Sequence, residues 1–180
     1  LFKMIAYYSN QWIANGRLFP VALGVTYSTW FYLGMDPVYT KVFNITLFFV
    51  AALLTARLLF VLSKNETVSL LFLLFLPICI QTRVSLDPIL LFPPLLAFSI
   101  ILIVSQALLF EIYCRKHHIL VLILSYLIFL TSLLTYEVCV IAIFVNFIIL
   151  FNNRRFNRRE LFSVLVYLIL LFSYFIILLF

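Results

Sequence analysis

Charge is what this sequence has least of. Only 10% of its 180 residues are Asp, Glu, Lys or Arg, twelve basic and six acidic, where a soluble domain carries roughly a quarter. A water-facing surface cannot be built from so few charges. Cysteine is scarce as well. Cys79, Cys114 and Cys139 lie in or beside apolar blocks with no ligand spacing, so they read as buried thiols and not as a metal site. No signal peptide is recognisable either, because Asn, Gln and Arg are scattered through the first seventeen residues.

What fills the chain is hydrocarbon. Hydrophobic residues make up 67% of it and the mean hydropathy is +1.25. Leu, Ile, Phe and Val come in blocks long enough to cross a hydrocarbon core of ~30 Å. Inside such a core every backbone amide must be bonded internally, which leaves helices or a closed barrel. Barrel strands alternate apolar and polar residues, whereas runs such as LFFVAALLTARLLFVL are apolar on every face. The expected fold is therefore all-α: a polytopic transmembrane helical bundle of about six membrane helices plus one interfacial helix, in a single domain over residues 1–180. Apolar blocks at 42–62, 67–81, 89–113, 119–134, 138–151 and 161–180 are the expected membrane helices, and 18–33 the interfacial one within an outer loop at 1–41; the alternative is that 18–33 crosses, which places Lys3 and Arg17 inside.

The polar breaks between blocks set the orientation. SKNE, CRKHH and NNRRFNRRE hold Lys64, Arg115, Lys116, Arg154, Arg155, Arg158 and Arg159, while the alternate breaks hold only Lys41 and Arg83. Short loops rich in Lys and Arg stay cytoplasmic, so GMDPVYTK, QTRVSLD and TYE are expected on the outer side. The same bias makes RRFNRR a topology determinant attracted to anionic lipid, and nucleic acid is not an expected partner. Blocks 119–134 and 138–151 must be separate helices for this pattern to hold. Each is only ~22 Å long at 1.5 Å per residue, short of a ~30 Å core. The TYE turn is thus expected to sit recessed, in a cavity walled by Arg83, Asp87, Tyr136 and Glu137.

Individual residues sharpen this. A carboxylate within the membrane costs several kcal/mol unless paired or hydrated, and is functional by default, which singles out Glu137. Arg83 and Asp87 are four apart and could pair, or Arg83 could hold a phosphate. Arg57 reads as a snorkelling side chain. Glu111 with Arg115 reads as an i,i+4 pair. Gln106 and Asn146 read as hydrogen-bonding partners between helices. His117 and His118 have no third ligand nearby. The acceptor patterns at Asn44 and Asn65 fall at a membrane helix and on the cytoplasmic side, where glycosylation is not expected.

Gly16, Arg17 and Pro20, then Gly34 and Pro37, then Lys41 and Asn44, lie in a stretch that resembles the GT-C superfamily of membrane glycosyltransferases. There an Arg-x-x-Pro-like element opens an interfacial helix in the first outer loop. A Gly-x-x-Pro turn follows, and then a membrane helix often beginning His-x-x-Asn. Lys41 replaces the His. LLTYEVCVIAIF and QTRVSLDPILL are similar to later outer-loop elements of the same family. The resemblance implies a transferase of the bacterial inner (plasma) membrane and cell envelope, taking a sugar from a polyprenyl-phosphate-linked donor on the outer face, with membrane lipids as its surroundings. It implies phosphate contacts for Arg17 and Arg83 and acceptor or divalent-cation contacts for Glu137. No other cofactor is evident. The family's catalytic carboxylate sits early in the first outer loop, but residues 1–17 contain no Asp or Glu. The general base is therefore expected upstream of Leu1, and the 180 residues are expected to be an inactive fragment by themselves. A transporter or flippase of a lipid-linked saccharide, or another polytopic carrier, stays open as an alternative.

Overall fold

The computed structural model describes residues 3, 7, 20–33, 37–79, 95–153 and 158–179. The chain is all-α, and among the described residues there is no strand. Among the described residues seven helices follow one another: α1 Pro20–Leu33, α2 Pro37–Ser63, α3 Glu66–Cys79, α4 Leu95–Lys116, α5 Ile119–Leu133, α6 Ile141–Asn153 and α7 Arg158–Leu179, with a 3₁₀ turn Glu137–Val140 leading into α6. Stretches in α2, α4 and α7 are long and apolar enough to cross a membrane, and three shorter apolar helices accompany them. Phe49, Leu74, Leu127, Phe144 and Phe172 are exposed on the outside of the bundle. That much apolar surface is untenable in water and suits lipid.

Two helices start earlier than the polar breaks suggest. α2 begins at Pro37 and so takes in VYTK, which polarity assigns to the outer loop. Proline at a first helical position loses no hydrogen bond, and nothing in VYTK breaks a helix. α7 begins at Arg158, where Glu160 in the first turn suits the positive end of the helix. α4 likewise runs on to Lys116, keeping Glu111 and Arg115 on one helix, where they form an ion pair. Pro88, Pro93 and Pro94 lie outside the described residues.

Two hairpins turn by one device. Lys64 and His117 both have φ 54°, the left-handed region. The Lys64 N–H donates to the Phe60 carbonyl (2.8 Å) and the His117 N–H to the Tyr113 carbonyl (2.7 Å). This is the single-bond left-handed cap, which satisfies a carbonyl at each helix end and reverses the chain within two residues.

Side-chain pairings fix the helix directions. Tyr113 meets Ser163, and Phe110 meets Tyr167, so α4 and α7 run antiparallel. Gln106 meets Asn146 while Ser99 lies beside Cys139, so α4 and α6 run parallel. Asn152 donates to the Leu62 carbonyl, bringing the last turns of α2 and α6 together. Lys64, Lys116, Arg158 and Arg159 consequently gather at one end of the bundle. The turn between α5 and α6 stands at the other. Phe110, Phe129, Leu133, Ile149, Leu150, Val164 and Tyr167 form the core between α4, α5, α6 and α7.

Candidate functional site

The turn opposite the basic end is built from local backbone bonds. The Leu134, Thr135 and Tyr136 amides donate back to carbonyls of Leu130 and Ser132, closing α5. Tyr136 is then extended, and its carbonyl accepts from Cys139 N–H as the 3₁₀ turn begins. Thr135 and Cys139 are fully buried beneath it, while Tyr136 is exposed. α5 has 15 residues, whereas α7 has 22. Phe129 stacks edge-on against Tyr167, so α7 continues for about two further turns, roughly 10 Å, beyond the level of Leu134. The turn therefore stands lower than the end of its neighbour.

α1 reaches this same turn. The Val21 amide, one of the first donors of α1 and without a partner inside its own helix, donates to the Leu134 carbonyl at 3.2 Å. Ala22 and Leu23 are buried behind it, whereas Phe31 and Tyr32 are exposed at the far end of the helix. The element that starts at Pro20 and the element at Tyr136–Glu137, 116 residues apart in sequence by their numbering, thus share one end of the bundle.

Of the five residues singled out in sequence, Tyr136 is placed with its side chain. Glu137 is placed by its backbone at the head of the 3₁₀ turn. Arg17, Arg83 and Asp87 lie outside the described residues. Among the described residues no three His, Cys, Asp or Glu side chains come together as a metal site. Asn44 is buried on α2, and Asn65 is occupied in capping α3 through Thr67 N–H (2.9 Å).

A second polar group lies midway along the bundle. Gln106 donates through Nε2 to Asn146 Oδ1 (3.2 Å) and to Ser125 Oγ (3.3 Å). Ser125 Oγ donates in turn to the Gln106 carbonyl (2.9 Å) and pairs with the Tyr167 hydroxyl at 2.6 Å. All four side chains are fully buried. Gln106 Oε1 and Asn146 Nδ2 have no partner among the described residues. The amides announce themselves in the sequence because each is isolated among apolar neighbours. Ser125 and Tyr167 do not, since a small hydroxyl and a largely aromatic side chain fit an apolar run unnoticed. No family model matches the chain, and neither does any curated protein or solved structure.

Proposed function

We propose that the chain is the membrane portion of a GT-C-type glycosyltransferase of the bacterial inner membrane, moving a sugar from a polyprenyl-phosphate-linked donor to an acceptor on the extracytoplasmic side. The observation that supports this reading is the Val21–Leu134 hydrogen bond. It joins the start of α1, three residues after Arg17, to the turn that carries Tyr136 and Glu137. These are the two outer elements that such an enzyme needs side by side, one for the donor phosphate and one for the acceptor.

In this reading Arg17, with Arg83 from the neighbouring outer segment, holds the phosphate through guanidinium hydrogen bonds. Asp87 orients Arg83, and Tyr136 and Glu137 accept from acceptor hydroxyls or bind a divalent cation. The acceptor oxygen forms its bond to the anomeric carbon as the bond from that carbon to the phosphate oxygen breaks. Polyprenyl phosphate leaves with the electron pair. The acceptor proton passes to a general base.

A carrier of a lipid-linked saccharide is favoured by a different observation, the Gln106–Asn146 amide pair at mid-depth, where transporters place their binding groups. Consumption of a radiolabelled polyprenyl-phosphate sugar by the full-length protein in native membranes separates the two. Glu137→Gln and Arg17→Ala should slow release of polyprenyl phosphate on the order of a hundredfold, the cost of mispositioning a reacting group. Wild-type rates in both variants would overturn the transferase.

A further inference from the structure

We infer that the basic end of the bundle carries a built site for one anionic phospholipid, seated between α4, α5 and α7. A cavity of about 440 Å³ opens there, within the ~300–1,000 Å³ usual for small-molecule sites. Its composition is divided along its length. Arg158 and Arg159 stand at the mouth, exposed at the first turn of α7. Ile119, Leu122, Phe162 and Val166 line the walls, and the hydroxyls of Tyr113, Tyr126 and Ser163 form a polar ledge beneath the arginines.

Three sources of positive potential converge on the mouth. Two are the guanidiniums, which match a phosphate with paired N–H groups. The third is the N-terminus of α5, which begins at this end. His118 at the head of α5 gives its amides no side-chain cap; Val121 N–H donates to the His118 carbonyl, which leaves the Ile119 and Leu120 amides for an anion. The nearest carboxylate on α7, Glu160, is turned into the protein interior and is not among the cavity walls. The ledge hydroxyls already have protein partners: Tyr126 donates to the Ser163 carbonyl (3.1 Å), Ser163 Oγ donates to the Arg159 carbonyl (2.9 Å), and the Tyr113 hydroxyl lies 3.4 Å from Ser163 Oγ. They hold the site's shape and leave anion binding to the arginines and amides.

The walls identify the ligand as a lipid instead of a free phosphate or a soluble phosphorylated metabolite. From Arg158 to Val166 the groove follows α7 for roughly 12 Å into the bundle, which is acyl-chain depth. Ile119 and Phe162 are well exposed, at 62% and 66%, so the groove opens sideways, where lipid tails lie. A soluble anion would use the mouth and leave this apolar cleft unfilled. Basic pockets between membrane helices are where acidic headgroups bind.

Native mass spectrometry of the full-length protein, released from nanodiscs of equimolar phosphatidylcholine and phosphatidylglycerol, tests the site. The wild type should retain one phosphatidylglycerol in strong preference to phosphatidylcholine. Arg158→Gln with Arg159→Gln, both at exposed positions, should reduce that preference on the order of thirtyfold, the effect of two surface arginines. Leu122→Trp, which fills the cleft and keeps both arginines, should release phosphatidylglycerol as well. Adding inorganic phosphate should not displace the lipid. Equal retention of both lipids by the wild type would overturn the site. So would unchanged retention in either variant, or displacement by inorganic phosphate.

Discussion

The hairpins α2–α3 and α4–α5 reverse the chain with the same left-handed cap, at Lys64 and at His117, yet they are held closed by opposite chemistry. In α2–α3 small residues let two backbones approach. Ala56 is buried, and Ser69 of α3 donates to its carbonyl at 2.8 Å. In α4–α5 the contact is made by large and polar side chains, with Gln106 and Ser125 bonded across the hairpin and Phe110 and Phe129 packed on Tyr167. Membrane helices have no hydrophobic drive to associate in lipid, so close packing and interhelical hydrogen bonds are the means available. The turn decides only where the chain reverses. The facing side chains decide how far the pair can separate, and the polar pair is the one wired onward to α6 and α7.

Breaking the second hairpin should cost most. Phe110 is fully buried and meets both Tyr113 and Tyr167, so Phe110→Ala should destabilise the protein by about 3–5 kcal/mol. Unfolding by SDS in mixed micelles would read the loss, and an effect within error would mean the core between α4 and α7 is not the stabilising unit. The first hairpin should answer to overpacking instead. Ala56→Phe should cost about 1–3 kcal/mol by forcing α3 away from α2, with a matched rise in proteolysis at the α2–α3 turn. The smallest effects belong to the turns. Asn65 caps α3, so Asn65→Ala should lose about 1 kcal/mol. His118 makes no such bond, so His118→Asn should gain stability of about that size or less. Equal and opposite signs would confirm that the two turns differ in capping alone.

Much of this architecture was legible in the residues. Long apolar runs without alternation dictate helices, and breaks such as SKNE and CRKHH fall where the chain turns. TYE separates α5 from α6, as the basic loops require, because one continuous helix over both runs would put CRKHH and NNRRFNRRE at opposite ends of the bundle. Gln106 and Asn146 were readable as partners because a buried amide needs one. Other features were not. VYTK looked like loop because it is polar, but polarity says nothing about backbone geometry at a membrane boundary. The docking of Val21 on Leu134 joins main-chain atoms, to which no side-chain pattern points. The lipid cleft joins residues of three helices, and only their packing brings Ile119, Phe162 and Tyr113 together. Of the five residues expected at the opposite end, the described residues include Tyr136 and the backbone of Glu137.

The central claim is that the α5–α6 turn and the basic hairpins face opposite sides of a membrane. Single cysteines at Tyr136→Cys and His118→Cys test it, with Cys79 replaced, since the other thiols at Cys114 and Cys139 are buried. In sealed vesicles of one orientation, a membrane-impermeant maleimide added outside should label one of the two positions and reach the other only after permeabilisation. Labelling of both from the same side would contradict the bundle, the recessed turn and the transferase reading together.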